Sequence, residues 1–91
     1  MHHFRGRLLD GDQVRLDPAN VYMLFHHAAA TGPDPGWHGY LLIDSGEGME
    51  PGDTFTLTLT DGRTGSLRID SLAADEDGKC RAIFVGEGPL G

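Results

Sequence analysis

Between Thr54 and Thr60 the chain alternates without interruption, with Phe55, Leu57 and Leu59 on one parity and Thr54, Thr56, Thr58 and Thr60 on the other. A period of two sends successive side chains to opposite faces of an extended chain, so the stretch reads as a half-buried strand. Threonine is β-branched and stiff at χ1, so even the polar parity favours extended backbone. The run Ser66 to Asp70 repeats the scheme, with Leu67 and Ile69 inward and Ser66, Arg68 and Asp70 outward. Together they form a hairpin whose turn is limited by parity. Residues paired across an antiparallel ladder share a face, and a two-residue turn at Asp61-Gly62 would set Leu57 opposite Ser66, core against solvent. The loop is therefore expected to have an odd count, for example Arg63-Thr64-Gly65 with Gly65 left-handed, or to absorb one residue in a glycine bulge; Arg63 then stands at an exposed tip.

The same alternation recurs along the chain. His2 to Leu9 places Phe4 and Leu8 in register with Gly6 between them, and Asp10-Gly11-Asp12 supplies turn chemistry before Val14 and Leu16, which predicts a first hairpin with a bulge or sharp bend at Gly6. Trp37 to Asp44 has Trp37, Leu41 and Ile43 on one face and Tyr40 and Leu42 on the other, and Lys79 to Glu87 has Cys80, Ala82 and Phe84 against Ile83 and Val85. Apolar groups on both parities mark these two strands as central, buried on both sides. Asp17 to Gly32 admits two readings. Asp17 as N-cap, Pro18 as first helical residue and Gly32 as C-cap make a helix with Val21, Leu24, Phe25 and Ala28 on one face. The compact apolar run Val21 to Phe25, followed by the Gly32 to Gly36 breaker cluster, makes a strand, which agrees better with the rest of the chain.

Short strands punctuated by turns predict an all-β domain over residues 1–91: a small six- to seven-stranded antiparallel barrel, SH3-like or OB-like, or a sandwich. The alternative is α+β, with one helix near residues 18–30. The shared Phe-x-Gly spacing of Phe4 to Gly6 and Phe84 to Gly86 suggests that the terminal strands lie side by side and close a barrel, and Pro89-Leu90-Gly91 either docks on the body or frays.

Size and charge narrow the function classes. A domain of 91 residues hides only roughly 60 to 65 per cent of its unfolded surface, so the core is small. Its single cysteine, Cys80, permits no internal disulfide. No signal peptide or membrane-length apolar run is read, which predicts a soluble cytoplasmic protein without membrane partners. The formal charge is −7 and is spread evenly along the chain, so a nucleic-acid partner is not expected; basic patches, not acidic surfaces, release counterions from phosphates.

Candidate sites each compete with a plainer reading. His26, His27 and His38 could meet as metal ligands, with His2-His3 a further pair, but neighbours on a strand point to opposite faces and no His-x-His or helical Glu-x-x-His spacing is present. The turn Asp75-Glu76-Asp77-Gly78 has the end of a calcium loop without its first ligand or bidentate glutamate, and reads as a solvated turn. Gly86 to Gly91 matches a dinucleotide fingerprint in spacing but lacks the helix that would hold a pyrophosphate. Ser45, Ser66, Ser71 and Cys80 lie in no nucleophile elbow, and Asp44 with Glu47 has no evident pocket. Trp37, Tyr40 and Tyr22, near Phe25, suit an aromatic partner-binding groove, with the exposed Arg63 as a further contact; core packing explains the aromatics as well. The reading that follows is a non-enzymatic interaction module, with no cofactor, that binds a protein partner or itself through a sheet edge or its long loops. Its alternatives are a metal- or small-ligand-binding domain built on the histidines and a structural subunit whose edge strands pair with neighbours.

Overall fold

The alternating stretches become six strands: β1 (His2–Asp10), β2 (Gln13–Phe25), β3 (Trp37–Asp44), β4 (Thr54–Leu59), β5 (Thr64–Ala74) and β6 (Lys79–Glu87). They come from a computed structural model that describes residues 2–25, 36–44, 48–74, 78–88 and 90–91. All neighbours are antiparallel, and the order β1-β2-β3-β6-β5-β4 closes into a barrel. An all-β barrel is thus the architecture, rather than an open sandwich. Every strand is hydrogen-bonded on both sides over part of its length, so among the described residues no whole edge strand is left to pair with another chain.

Residues 18–25 belong to β2, so the helical alternative fails for them; residues 26–30 lie outside the described residues. The helix would have put Val21 and Leu24 on one face, whereas the strand sends Val21 into the core and leaves Leu24 38% exposed. β-Branched and aromatic residues at Val21, Tyr22 and Phe25 suit a pleated surface, and partners on both sides decide the matter. Pro18 sits where β1 and β2 shift register between Gly6 and Leu8, and β3 begins pairing only at Asn20, so its missing N–H breaks no ladder.

The β4-β5 turn keeps the odd count that parity requires, but three residues earlier than expected. Leu59 N–H donates to Arg63 O at 2.7 Å and Gly62 N–H to Leu59 O at 3.0 Å, leaving a three-residue loop of Thr60, Asp61 and Gly62. Gly62, at φ 99°, takes the left-handed position that Gly65 was expected to fill. Leu57 then faces Gly65 and Phe55 faces Leu67, core against core. Arg63 follows the turn instead of forming its tip.

The terminal strands do not pair: β1 lies between β2 and β4, and β6 between β3 and β5. Gly6 instead lets β1 approach β4 closely, since a Cβ there would collide with the Thr58 carbonyl. The barrel is filled by Leu8, Val21, Met23, Trp37, Leu41, Leu57, Leu67, Ile69 and Phe84, all essentially sealed from solvent. At one end Met49 is buried against this core; at the other, Leu90 packs on it. The tail docks: Gly91 and Thr64 exchange two backbone hydrogen bonds of 3.1 Å.

Candidate functional site

A closed barrel has one inside, so apolar residues on the second parity of β2, β3 and β6 have nowhere to go but out. Cross-strand register arranges them in three rows. Leu24, His38 and Val85 form the first; His3, Tyr22, Tyr40 and Ile83 the second; Arg5, Asn20, Leu42 and Arg81 the third. Tyr22, His38, Tyr40, Leu42, Ile83 and Val85 are all half-buried, which is the exposure of side chains that cover one another on a convex wall. Scattered surface apolar residues need no explanation; a contiguous set does.

Its middle row is a stack. The rings of His3 and Tyr22 lie 4.7 Å apart at 23°, those of Tyr22 and Tyr40 5.0 Å apart at 16°, and the Arg81 guanidinium lies 5.0 Å from the Tyr40 ring centroid. His3 Nε2 is also within 3.2 Å of Asn20 Oδ1, which fixes the outer ring of the series. Aromatic pairs of this kind contribute about 0.5 to 1.5 kcal/mol beyond their buried area. The effect is a rigid strip with little side-chain entropy left to lose on contact, the property that makes tyrosine and arginine frequent anchors of protein interfaces.

Of the residues that the sequence nominates for partner binding, Tyr22 and Tyr40 come together here and the other two do not. Trp37 points inward and is 2% exposed. Its indole lies against Gly86, where any Cβ would overlap the ring, packs edge-on to Phe84 at 5.8 Å and donates from Nε1 to Gly88 O at 2.8 Å. That polar handle is satisfied inside the fold, so Trp37 organises the core and lines no groove. Arg63 sits at the barrel end, with its guanidinium 5.2 Å from the Phe4 ring centroid and its Nη2 2.8 Å from Asp61 Oδ2. That side-chain contact, with Arg63 N–H donating to Asp61 Oδ1 at 3.0 Å, holds the Asp61 carboxyl below its ordinary range. The pair fastens a turn.

Among the proposed metal ligands, His38 lies on the outer wall between Leu24 and Val85, while His26 and His27 fall outside the described residues. Among the described residues no group of three His, Cys, Asp or Glu side chains is placed to hold a metal ion. Cys80 is half-buried below Ala82, and Ser66 and Ser71 lie apart along β5; Ser45, Glu47 and Asp75 to Asp77 fall outside the described residues. An open polar depression of about 460 Å³ near the Met49 end collects Asp10, Arg15 and Asp53. Asp53 is occupied there, its Oδ2 accepting from Glu50 N–H at 2.9 Å.

Charge is arranged differently in space than along the chain. Arg5, Arg7, Arg15, Arg68, Lys79 and Arg81 lie in strands, on the barrel wall. The described carboxylates in strands are Asp10, Asp44 and Glu87, each the last residue of its strand, with Asp17 and Asp70 inside β2 and β5; those in turns and loops are Asp12, Glu50, Asp53 and Asp61. Bordering the stacked face, Lys79 Nζ donates to Asp44 at 2.6 Å, which raises the Lys79 pKa, and Arg7 lies 3.4 Å from Asp17 and Arg68 3.7 Å from Glu87. A linear count of charge could not reveal these cross-strand pairs. Leu42, Ile83 and Val85, which apolar groups on both parities marked as buried, lie with His3 and Arg81 on this outer face, because a closed barrel has a single interior.

No helix among the described residues is long and apolar enough to cross a membrane. A scan against protein-family models finds no match, and searches of curated proteins and of solved structures find none either.

Proposed function

We propose that the domain is a non-enzymatic protein-binding module whose docking surface is the outer wall of β2, β3 and β6. The observation that carries this reading is the Tyr22-Tyr40 stack set among Leu24, Leu42, Ile83 and Val85 on the outside of a closed barrel. Such a surface is costly to leave in water and preorganised for contact, at about 25 cal/mol per Å² of apolar area covered. Barrel closure argues against partner capture by strand addition, because that mode needs an exposed sheet edge. A cytoplasmic site of action fits the lone unpaired thiol of Cys80.

Two charge insertions test the proposal. Leu42→Glu places a carboxylate in the centre of the face, and Thr56→Glu places one on the opposite wall. Both variants should keep a cooperative melt, and Leu42→Glu alone should lose the proteins that wild type retains in affinity capture. Equal retention by both variants would remove the assignment of the face.

A further inference from the structure

We infer that the stretch from Gly88 to Gly91 is a strap over one end of the barrel, which opens as a unit while the six strands stay paired. The regular β5-β6 ladder stops at Ser66↔Glu87. Beyond it stands a lone rung, in which Thr64 N–H donates to Gly91 O and Gly91 N–H to Thr64 O, each at 3.1 Å. On β5 only Gly65 separates the two rungs, whereas residues 88–90 separate them on the other side. The strap thus leaves the ladder and rejoins it once. Gly88 makes the departure at φ 93°, a conformation that costs glycine little and strains other residues.

Two further contacts hold the strap down. Trp37 Nε1 donates to Gly88 O at 2.8 Å, and Leu90, half-buried, packs on the core. Gly88, Gly91 and Thr64 are exposed, so water competes for the isolated rung. Few buried apolar contacts and solvent-exposed backbone bonds mark a segment that opens well below the cost of unfolding the whole. Closure of the barrel does not depend on it. The order β1-β2-β3-β6-β5-β4 is complete with strands that end at Glu87, Thr64 is paired with Thr58 on its β4 side, and the indole of Trp37 is seated against Gly86 and Phe84.

What opening uncovers is specific: the Thr64 N–H and C=O that point away from β4, the indole N–H, and the core beneath Leu90. A bare strand edge beside an unpaired indole donor is what an extended segment pairs with. The strap therefore occupies, from within the same chain, the kind of edge that barrel closure otherwise denies to a partner. It is separate from the docking wall, since neither the strap nor its anchors Thr64 and Trp37 lie in the three rows.

Native-state hydrogen exchange on the full chain, followed by NMR across a urea series, tests this. The N–H groups of Thr64 and Gly91 and the Trp37 indole N–H should share one protection factor, more than about tenfold below those of the Leu41 and Phe84 amides and nearly independent of urea. A reversible lock supplies the second measurement: Thr64→Cys with Gly91→Cys, in a Cys80→Ser background, bridges the facing pair at a place where a Cβ added to Gly91 meets nothing. Oxidised, it should bring the indole N–H to the protection of the barrel, and reduction should restore fast exchange. Exchange of the three groups only with the barrel, at the protection and urea slope of Leu41, would overturn the strap. So would three unrelated protection factors, or an oxidised lock that leaves the indole exchanging fast.

Discussion

Opposite walls of the barrel obey one rule of alternation and reach opposite outcomes. β4 turns Phe55, Leu57 and Leu59 inward and shows solvent Thr54, Thr56 and Thr58, with Thr58 Oγ1 3.3 Å from Thr64 Oγ1 on β5. β3 turns Trp37, Leu41 and Ile43 inward and shows His38, Tyr40 and Leu42. Both inner faces feed the same core, so the contrast is confined to the outside. Hydroxyls on the β4 wall hydrogen-bond to water and need no cover, whereas the β3 wall keeps its aromatic and aliphatic groups partly covered by stacking them together. The difference teaches that the inner parity follows from the barrel, while the outer parity is free to differ from wall to wall and is where the proposed docking face is read.

The largest effects should ignore the difference between walls, because they strike the shared interior. Leu57→Ala on one wall and Leu41→Ala on the other should each cost about 2 to 5 kcal/mol in urea denaturation, while Thr56→Ala should stay within about 0.5 kcal/mol. A wide gap between the two leucines would mean that the walls do not share one core. Next comes the seat of the indole. Gly86→Ala should cost about 1 to 3 kcal/mol by overpacking and shift Trp37 emission, whereas Gly62→Ala, which meets open space but sits at φ 99°, should cost about 1 kcal/mol with emission unchanged.

Smaller effects separate the walls themselves. A double-mutant cycle on Tyr22 and Tyr40 should return about 0.5 to 1.5 kcal/mol of coupling, and one on Thr58 and Thr64 should fall toward about 0.2 kcal/mol. Equal couplings would remove the claim that one wall is stiffened. The smallest concerns the turn. Asp61 has a lowered pKa in the fold, so its contribution is present above the ordinary carboxylate range and is lost as pH falls through the folded midpoint. NMR titration should place the Asp61 midpoint below that of unfolded chain, and Arg63→Ala should return it there.

Much of the fold was legible because the signals were local. The Thr54 to Thr60 alternation, the parity limit on the hairpin, the turn at Gly11 and the register shift that follows Gly6 all depend on residues near one another in sequence. Gly11 indeed takes φ 61° between the paired Asp10 and Gln13. What failed required knowledge of distant neighbours. The terminal strands were brought together on a Phe-x-Gly match, but Gly86 is there to seat Trp37 and Gly6 to admit β4, two unrelated close contacts. Trp37 follows a glycine-rich stretch as a binding aromatic would, and only the position of Gly86 and Phe84 across the ladder shows it to be core. Tyr22 and Tyr40 were grouped with Trp37, but they stack on the outer face while Trp37 points inward, and His3 and Arg81 could join them only once the order β1-β2-β3-β6 was known.

Which side chains meet solvent decides between the two walls, and a soluble paramagnetic probe reads that directly from methyl relaxation in the free protein. Leu24, Leu42, Ile83 and Val85 should be strongly relaxed, as should the threonine methyls of β4, while Leu8, Leu41, Leu57, Leu67 and Ile69 are spared. Equal protection of both sets would mean that the β2, β3 and β6 wall is interior, and its assignment as an open docking face would be wrong.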